Sequence, residues 1–213
     1  MAADALLLDL DRTLVDLQSS TDYAAALRDV ESMMGSWSSA EVPATDWDQP
    51  TMACMSVLHS LLGDARWSEV SEAIAVHERA AVPRSTIMPT VMESVPLLRS
   101  VPTAVVTLLP ASVVDDVLAW HGLGHRPGGE VDLLVGRSVD VRPKPEPDGL
   151  LVACAALGVD PERAVMIGDS SWDAEAARRA GVHFIGVPTA PQAGAGMGVT
   201  AASFHDAVMT ALA

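Results

Sequence analysis

Four short segments, far apart in the chain, hold the side chains best suited to chemistry. Asp9 and Asp11 stand in Asp9-Leu10-Asp11-Arg12-Thr13, and Thr107 closes an apolar run. Lys144 lies in Arg142-Pro143-Lys144-Pro145-Glu146-Pro147, and Asp169 and Asp173 lie in Gly168-Asp169-Ser170-Ser171-Trp172-Asp173. Carboxylates a few ångströms apart raise one another's pKa, and a divalent cation removes that cost. Of the thirteen basic residues Lys144 is the single lysine; a compact ammonium on a flexible stem does what a planar guanidinium does badly. Each segment alone has a plainer explanation. Acids after a strand serve turns and helix caps, and Asp173 suits a helix N-terminus.

The elements around these residues decide whether they can meet. Ala5 to Leu8 is a continuous apolar run that ends in acids, the pattern of a strand buried on both faces of a parallel sheet. From about Thr21 to Ala81 the spacing predicts helices only, near Thr21–Met34, Pro50–Leu62 and Trp67–Ala81. After Ile87 helix and strand alternate. Helices are expected at Thr90–Arg99, Ala111–Trp120, Pro147–Leu157, Trp172–Ala180 and Ser203–Leu212. Strands are expected at Thr103–Thr107, Val131–Val135, Ala164–Ile167 and His183–Val187. This order predicts an α/β fold: a Rossmann-like parallel sheet core flanked by helices, with an all-helical cap inserted after the first strand. The core is expected to hold residues 1–15 and 86–213, and the cap residues 16–85. Ligands of such sheets bind at the carboxyl ends of strands, which is where the four segments fall.

Composition narrows the partners. The 213 residues allow one large core plus a small insert. A formal charge of −15 repels nucleic acid and anionic lipid, so neither is expected, and an anionic substrate must be held by a metal and local cations. No apolar run reaches the ~18–20 residues of a membrane span, and the N-terminus carries no basic leader, so the expectation is a soluble, cytoplasmic protein, monomeric or homodimeric. Cys54 and Cys154 read as small buried thiols. Gly194, Gly196 and Gly198 lack the βαβ context of a nucleotide fingerprint and read as a loop.

Taken in order, Asp-x-Asp-x-Thr after a strand, Thr107, Lys144-Pro145-Glu146-Pro147 and Gly168-Asp169 to Asp173 resemble the four motifs of the haloacid dehalogenase superfamily. The resemblance runs from Leu6 to about Val187, and the insert resembles that superfamily's C1 cap. The stretch from Lys144 to Ser170 looks similar to phosphoglycolate phosphatase and related small-molecule phosphatases. The resemblance implies a Mg²⁺-dependent phosphatase acting on a small-molecule phosphate ester through a phosphoaspartyl intermediate on Asp9. Asp11 would be the general acid and base. Thr107, the backbone N–H of Leu108, Lys144 and Arg12 would contact phosphate or substrate. Asp9, Asp169 and the backbone carbonyl of Asp11 would bind the metal, with Asp173 acting through water. Oxygen-only ligands suit Mg²⁺ rather than zinc. Two positions depart from the family pattern: Arg12 replaces a common glycine, and Leu108 replaces a common Asn or Ser.

Within that family, Asp11 argues against dehalogenation, which needs no proton for a leaving alcohol, and a cap without lysine closes the Schiff-base route. A β-phosphoglucomutase-like sugar phosphomutase and a non-catalytic phosphate-binding regulatory protein remain as alternatives. In the cap, Trp37, Trp47 and Trp67 with Met33, Met34, Met52 and Met55 read as core, or as a pocket for an apolar or ring-bearing group. Arg28, Arg66, Arg79 and Arg84 read as solvated, and His59 and His77 as surface or boundary residues.

Overall fold

A computed structural model describes residues 2–35, 45, 47–188 and 199–213. The chain opens with strand β1 (Ala5–Leu8), every residue of which is buried, and a short strand β2 (Val15–Asp16). Helices α1 (Tyr23–Met34), α2 (Gln49–Ser60) and α3 (Trp67–Ala81) follow, and strand β3 (Thr86–Ile87) returns to pair antiparallel with β2. Then come α4 (Val91–Leu98), β4 (Thr103–Val106), α5 (Ala111–Trp120), β5 (Leu133–Val135) and α6 (Asp148–Leu157). The last elements are β6 (Ala164–Gly168), α7 (Ser171–Ala180), β7 (His183–Gly186), β8 (Val199–Thr200) and α8 (Phe204–Leu212).

Six strands form one parallel sheet in the order β5-β4-β1-β6-β7-β8, so β1 lies inside it, with Leu8 level with Val105 and Ile167. Alternate side chains of β1 supply both layers. Leu6 and Leu8 pack with Val105, Ile167 and the apolar faces of α5 and α8; Ala5 and Leu7 pack with Val106, Met166 and residues of α6 and α7. A continuous apolar run is what this two-sided burial requires. The α/β class and the helix-flanked parallel sheet are as the sequence predicts.

Helices α1–α3 have a separate core, built from Tyr23, Val30, Cys54, Met55, Leu58, Trp67 and Ile74, into which α7 contributes Trp172. Asp22 and Asp48 cap α1 and α2 by accepting from Ala25 N and Thr51 N. Both cysteines are free and buried, and burial pushes the Cys54 thiol up to about 12. Among the described residues no helix is long and apolar enough to cross a membrane.

Two details differ from the sequence expectation. Strand β5 begins at Leu133, not Val131, because Val131 bridges back to His125 and the Asp132 carboxylate accepts from Thr103 N at 2.9 Å. The β2–β3 pair and edge strand β8 are two-residue elements, too short for a periodic signal. Trp37 and Gly194, Gly196 and Gly198 lie outside the described residues.

Gly136 follows β5 where the chain passes against the loop after β4. A Cβ there would sit 2.5 Å from Ala111 N and 2.7 Å from Leu109 O, both backbone atoms with little room to yield. Gly136→Ala is expected to cost about 1–3 kcal/mol, lowering Tm by about 3–10 °C in a thermal melt. An unchanged Tm would show that the loop after β4 is free to move.

Candidate active site

The carboxyl ends of β1, β4 and β6 deliver the acids and the hydroxyl together. Asp9 follows β1 directly, its N–H donating to Ile167 O at 2.9 Å, and Thr107 follows β4 with its N–H on Val135 O at 3.0 Å. Asp169 follows β6. Lys144 enters from the loop before α6, and its Nζ donates to Asp9 Oδ1 at 2.7 Å, to Val106 O at 3.0 Å and to Asp173 Oδ1. Asp9, Asp169 and Asp173 are buried and offer carboxylate oxygens within 4.8 Å of one another. Gly168 makes this closeness possible, since a Cβ there would meet Asp173 Cγ at 2.6 Å.

Asp173 is also the reciprocal partner of Ser170 in a capping box at the start of α7: Ser170 Oγ accepts from Asp173 N, and Asp173 Oδ2 accepts from Ser170 N at 3.1 Å. One carboxylate thus starts a helix and holds the lysine. Asp11 is turned differently. Arg12 takes φ 64°, which explains why glycine suits that position, and its N–H donates to Val15 O at 2.7 Å. The turn brings the segment leading to α1 back onto Asp11, whose Oδ1 accepts from Leu17 N at 2.9 Å and Gln18 N at 3.0 Å.

These surroundings raise the pKa of both carboxylates of the first motif. Burial pushes Asp11 up to about 7, against the pull of the Gln18 and Leu17 N–H groups. Burial also raises Asp9, but the Lys144 charge opposes it. Burial alone would pull Lys144 down, yet the charges of Asp173 and Asp9 outweigh it and hold the ammonium above its ordinary value. The acids outnumber the cations here. Three hard, buried carboxylates fit Mg²⁺ or a similar oxygen-seeking divalent ion.

A cleft opens over the cluster. Asp9, Asp11, Thr107, Leu108, Lys144 and Asp169 line it from the core side. Two predicted residues do not. Arg12 lines an adjoining cleft with Asp16 and Asp48 and brings its Nε to 3.6 Å from Asp169 Oδ2. Asp173 is buried behind Lys144.

From the helical block, Tyr23, Trp47, Thr51, Met55 and Glu78 form the opposite wall. Trp47 and Met55 were singled out in the sequence; Tyr23, Thr51 and Glu78 were not. Glu78 left a readable sign, since it is an acid on the Val70-Ile74-Ala81 stripe by which α3 packs inward. Arg137 was also missed. Its guanidinium is bonded to both Glu78 oxygens, at 2.8 and 2.9 Å, although 59 residues separate the two. Trp67 and Met34 are core residues of the block, and Met33 is exposed. His59 is more than a surface residue: its Nε2 lies 3.3 Å from Lys144 O, and its ring stands edge-on to Trp172.

Comparison with known proteins agrees with this geometry. A family model described as haloacid dehalogenase-like hydrolase matches residues 3–181. The chain is 28% identical over 196 residues to a phosphoglycolate phosphatase of Chromobacterium violaceum, covering 86% of this chain and 84% of that one. It is 34% identical over 89 residues to validoxylamine A 7'-phosphate phosphatase of Streptomyces hygroscopicus subsp. limoneus, a match spanning 42% of this chain and 40% of the relative. In fold it is similar to CbbY from Rhodobacter sphaeroides, solved in complex with phosphate, with TM-score 0.71, 20% identity and 96% of each chain covered.

The raised pKa of Asp11 makes the metal-free protein sensitive to base. An unfolded aspartate loses its proton near pH 4, whereas the folded one keeps it to about 7, so the native state holds the extra proton between those values. The stability this provides is complete below about pH 4 and lost as pH rises through 7. Asp11→Asn should therefore leave Tm in chelator nearly unchanged at pH 4.5. At pH 8 it should raise stability by about 2 kcal/mol, or about 4–8 °C, since the open cleft screens part of the full effect. A Tm difference that does not grow with pH would place Asp11 in ordinary solvent.

Proposed function

The chain belongs to the haloacid dehalogenase-like hydrolases, and we propose that within them it is a Mg²⁺-dependent phosphatase that cleaves a small phosphate monoester by way of a phosphoryl group on Asp9. One observation carries the reading. Lys144, from 135 residues away, bonds Asp9 beneath a cleft that also holds Asp11, Thr107 and Asp169. Nucleophile, acid, hydroxyl and cation then face one small space.

Asp9 attacks phosphorus and the bond to the leaving oxygen breaks, with Asp11 passing its proton to that oxygen. Lys144 keeps Asp9 anionic before attack and counters the phosphoryl charge after it. Asp11, now ionised, takes a proton from the water that attacks phosphorus. The P–O bond to Asp9 breaks and inorganic phosphate leaves. Thr107 Oγ1 accepts from Leu109 N at 3.3 Å, which leaves its hydroxyl hydrogen to donate to a phosphoryl oxygen. Mg²⁺ held by Asp9, Asp169 and the Asp11 carbonyl would neutralise phosphoryl charge, the larger part of what this chemistry needs. Asp173 positions Lys144 rather than touching the substrate, and Arg12 steers Asp169. Residues 16–85 act as a cap that covers the cleft and limits it to small esters. The phosphatase names of the Chromobacterium and Streptomyces relatives support the reaction class.

Phosphate release from a panel of sugar, glycolate and nucleoside phosphates should require Mg²⁺ and stop with chelator. Acid quench of a turnover with ³²P-labelled ester should trap label on protein that hydroxylamine removes. Asp9→Asn should lose the label and at least about 10³-fold in kcat. Release of free phosphate without any trapped label would sink the Asp9 intermediate, and an isomerised ester in place of phosphate would make the protein a mutase.

Asp11 has a separate signature. A p-nitrophenyl leaving group needs no proton, so Asp11→Asn should still give a burst of about one nitrophenolate per enzyme. It should then slow by about 10²–10⁴-fold, because no base remains for the attacking water. Steady turnover without a burst would assign the base elsewhere.

A further inference from the structure

The far wall of the cleft says what kind of alcohol leaves, given that the phosphatase reading holds. We propose that the leaving group is uncharged or cationic and rich in O–H or N–H donors, as in a sugar, cyclitol or amino sugar. The wall rejects alcohols that carry a second anion.

The first ground is the direction of the wall's hydrogen bonds. Tyr23 Oη lies 3.2 Å from Glu78 Oε1, and Thr51 Oγ1 lies 2.6 Å from Asp48 Oδ1. A carboxylate only accepts, so both hydroxyl hydrogens are engaged, Tyr23's by Glu78 on the same wall and Thr51's by Asp48, and neither is left to donate to a ligand. What Tyr23 and Thr51 offer a ligand is lone pairs. A hydroxylated or aminated ligand satisfies them. A carboxylate or second phosphate carries only acceptors and leaves Tyr23, Thr51 and Glu78 unmatched, and the Gln18 amide is a neutral side-chain donor it would meet on this wall.

The second ground is the state of the cations. Arg137 stands directly behind the wall, where it would be the natural partner of an anionic leaving group. All of its donors are taken: Nε by Ser71 Oγ, Nη1 by Glu78 Oε1 and Leu108 O, and Nη2 by Ser71 O and Glu78 Oε2. Its side chain is 1% exposed and its charge is matched by Glu78. Lys144 is committed to Asp9 and Asp173. Arg12 belongs to the adjoining cleft beside Asp16 and Asp48. In the helical block, Arg66, Arg79 and His77 pair with Asp64, Glu72 and Asp29 outside the cleft, and Arg84 bonds Ser20 O. Residues 36–44, 46 and 189–198 contain no lysine, arginine or histidine, so they add no basic side chain.

The third ground is shape. Trp47, held at 4.6 Å from Trp172 between ring centroids, gives the wall an aromatic surface beside Met55 and Leu108. A ring with one apolar face and a rim of hydroxyls matches such a wall.

The test compares esters that differ in one group. With the full chain and Mg²⁺, kcat/KM is measured for glucose 6-phosphate, glucosamine 6-phosphate and 6-phosphogluconate, and for 2-hydroxyethyl phosphate against phosphoglycolate. The uncharged or aminated member of each set should exceed the carboxylate by about 10²-fold. Equal rates, or a faster acid, overturn the proposal while leaving the phosphatase intact. No turnover of any ester, p-nitrophenyl phosphate included, overturns the phosphatase reading and this proposal with it.

Glu78→Gln removes the charge that silences Arg137. It should shift the glucose 6-phosphate to 6-phosphogluconate ratio about tenfold toward the acid, and a well-folded variant with an unshifted ratio counts against the proposal. The wild-type comparison decides by itself if that variant does not fold.

Discussion

The arrangement depends on one electrostatic constraint: three buried carboxylates gather together, and one ammonium bonds two of them. Asp9, Asp169 and Asp173 gather at the edge of a parallel sheet in a chain whose formal charge is already −15. Like charges so close in a low-dielectric setting would take up protons or spread apart. Lys144 relieves part of this by bonding two of them, and Val106 O fixes where it stands. The remaining excess is a standing attraction for a divalent cation. A divalent ion bound there would answer the same problem as the lysine from the other side, and would let an anionic substrate approach despite the global field. Arginine would not replace Lys144 easily, since a planar fork cannot copy one compact ammonium that bonds Asp9, Asp173 and Val106 O together.

A second charged pair sets the ceiling of that space. Glu78 of α3 and Arg137 after β5 are buried almost completely, and every guanidinium donor has a partner. Such a pair is weak evidence for stability, because removing two charges from water costs about as much as their attraction returns. It is better evidence for geometry. A fork with five directed donors accepts one arrangement of Ser71, Glu78 and Leu108, which ties the helical block to the loop that follows Thr107. Trp172 makes the same connection with apolar surface, since it belongs to α7 but packs in the block's core. The cover and the floor of the cleft are thereby held in register by one polar and one apolar contact.

The sequence made the floor legible and left most of the ceiling hidden, for a physical reason. Asp9, Thr107 and Asp169 follow apolar strands, and parallel sheets bring strand ends together whatever the loops do. Their meeting could be read from local pattern plus topology. Lys144 was marked by composition, as the single lysine among arginines. Arg137 had no such mark: its role exists only once Glu78, 59 residues away, is beside it. The block's helices were readable from their spacing, but which residues face inward to their own core and which face the cleft was not. Trp47 and Trp67 look alike in the sequence, yet Trp47 lines the cleft and Trp67 packs in the core.

The separation of Asp9 from Asp11 follows from the backbone more than from their own chemistry. Both are aspartates, two positions apart and both taken out of bulk water. Had the chain continued as an extended strand, the two side chains would point to the same face and compete for Lys144. The strand ends at Leu8, and the turn at Arg12, with its φ of 64°, folds the following segment back beside Asp11. It leaves Asp9 against the ammonium and hands Asp11 to two backbone N–H groups, which are partial charges where Lys144 is a full one. The left-handed turn costs a non-glycine residue about 1–2 kcal/mol, and Arg12 bears that cost while keeping its own cation beside Asp169. Two chemically equal carboxylates thus have different partners, a full charge for Asp9 and two N–H dipoles for Asp11. Burial raises the proton affinity of both, and the ammonium opposes that rise at Asp9 where only backbone N–H groups oppose it at Asp11.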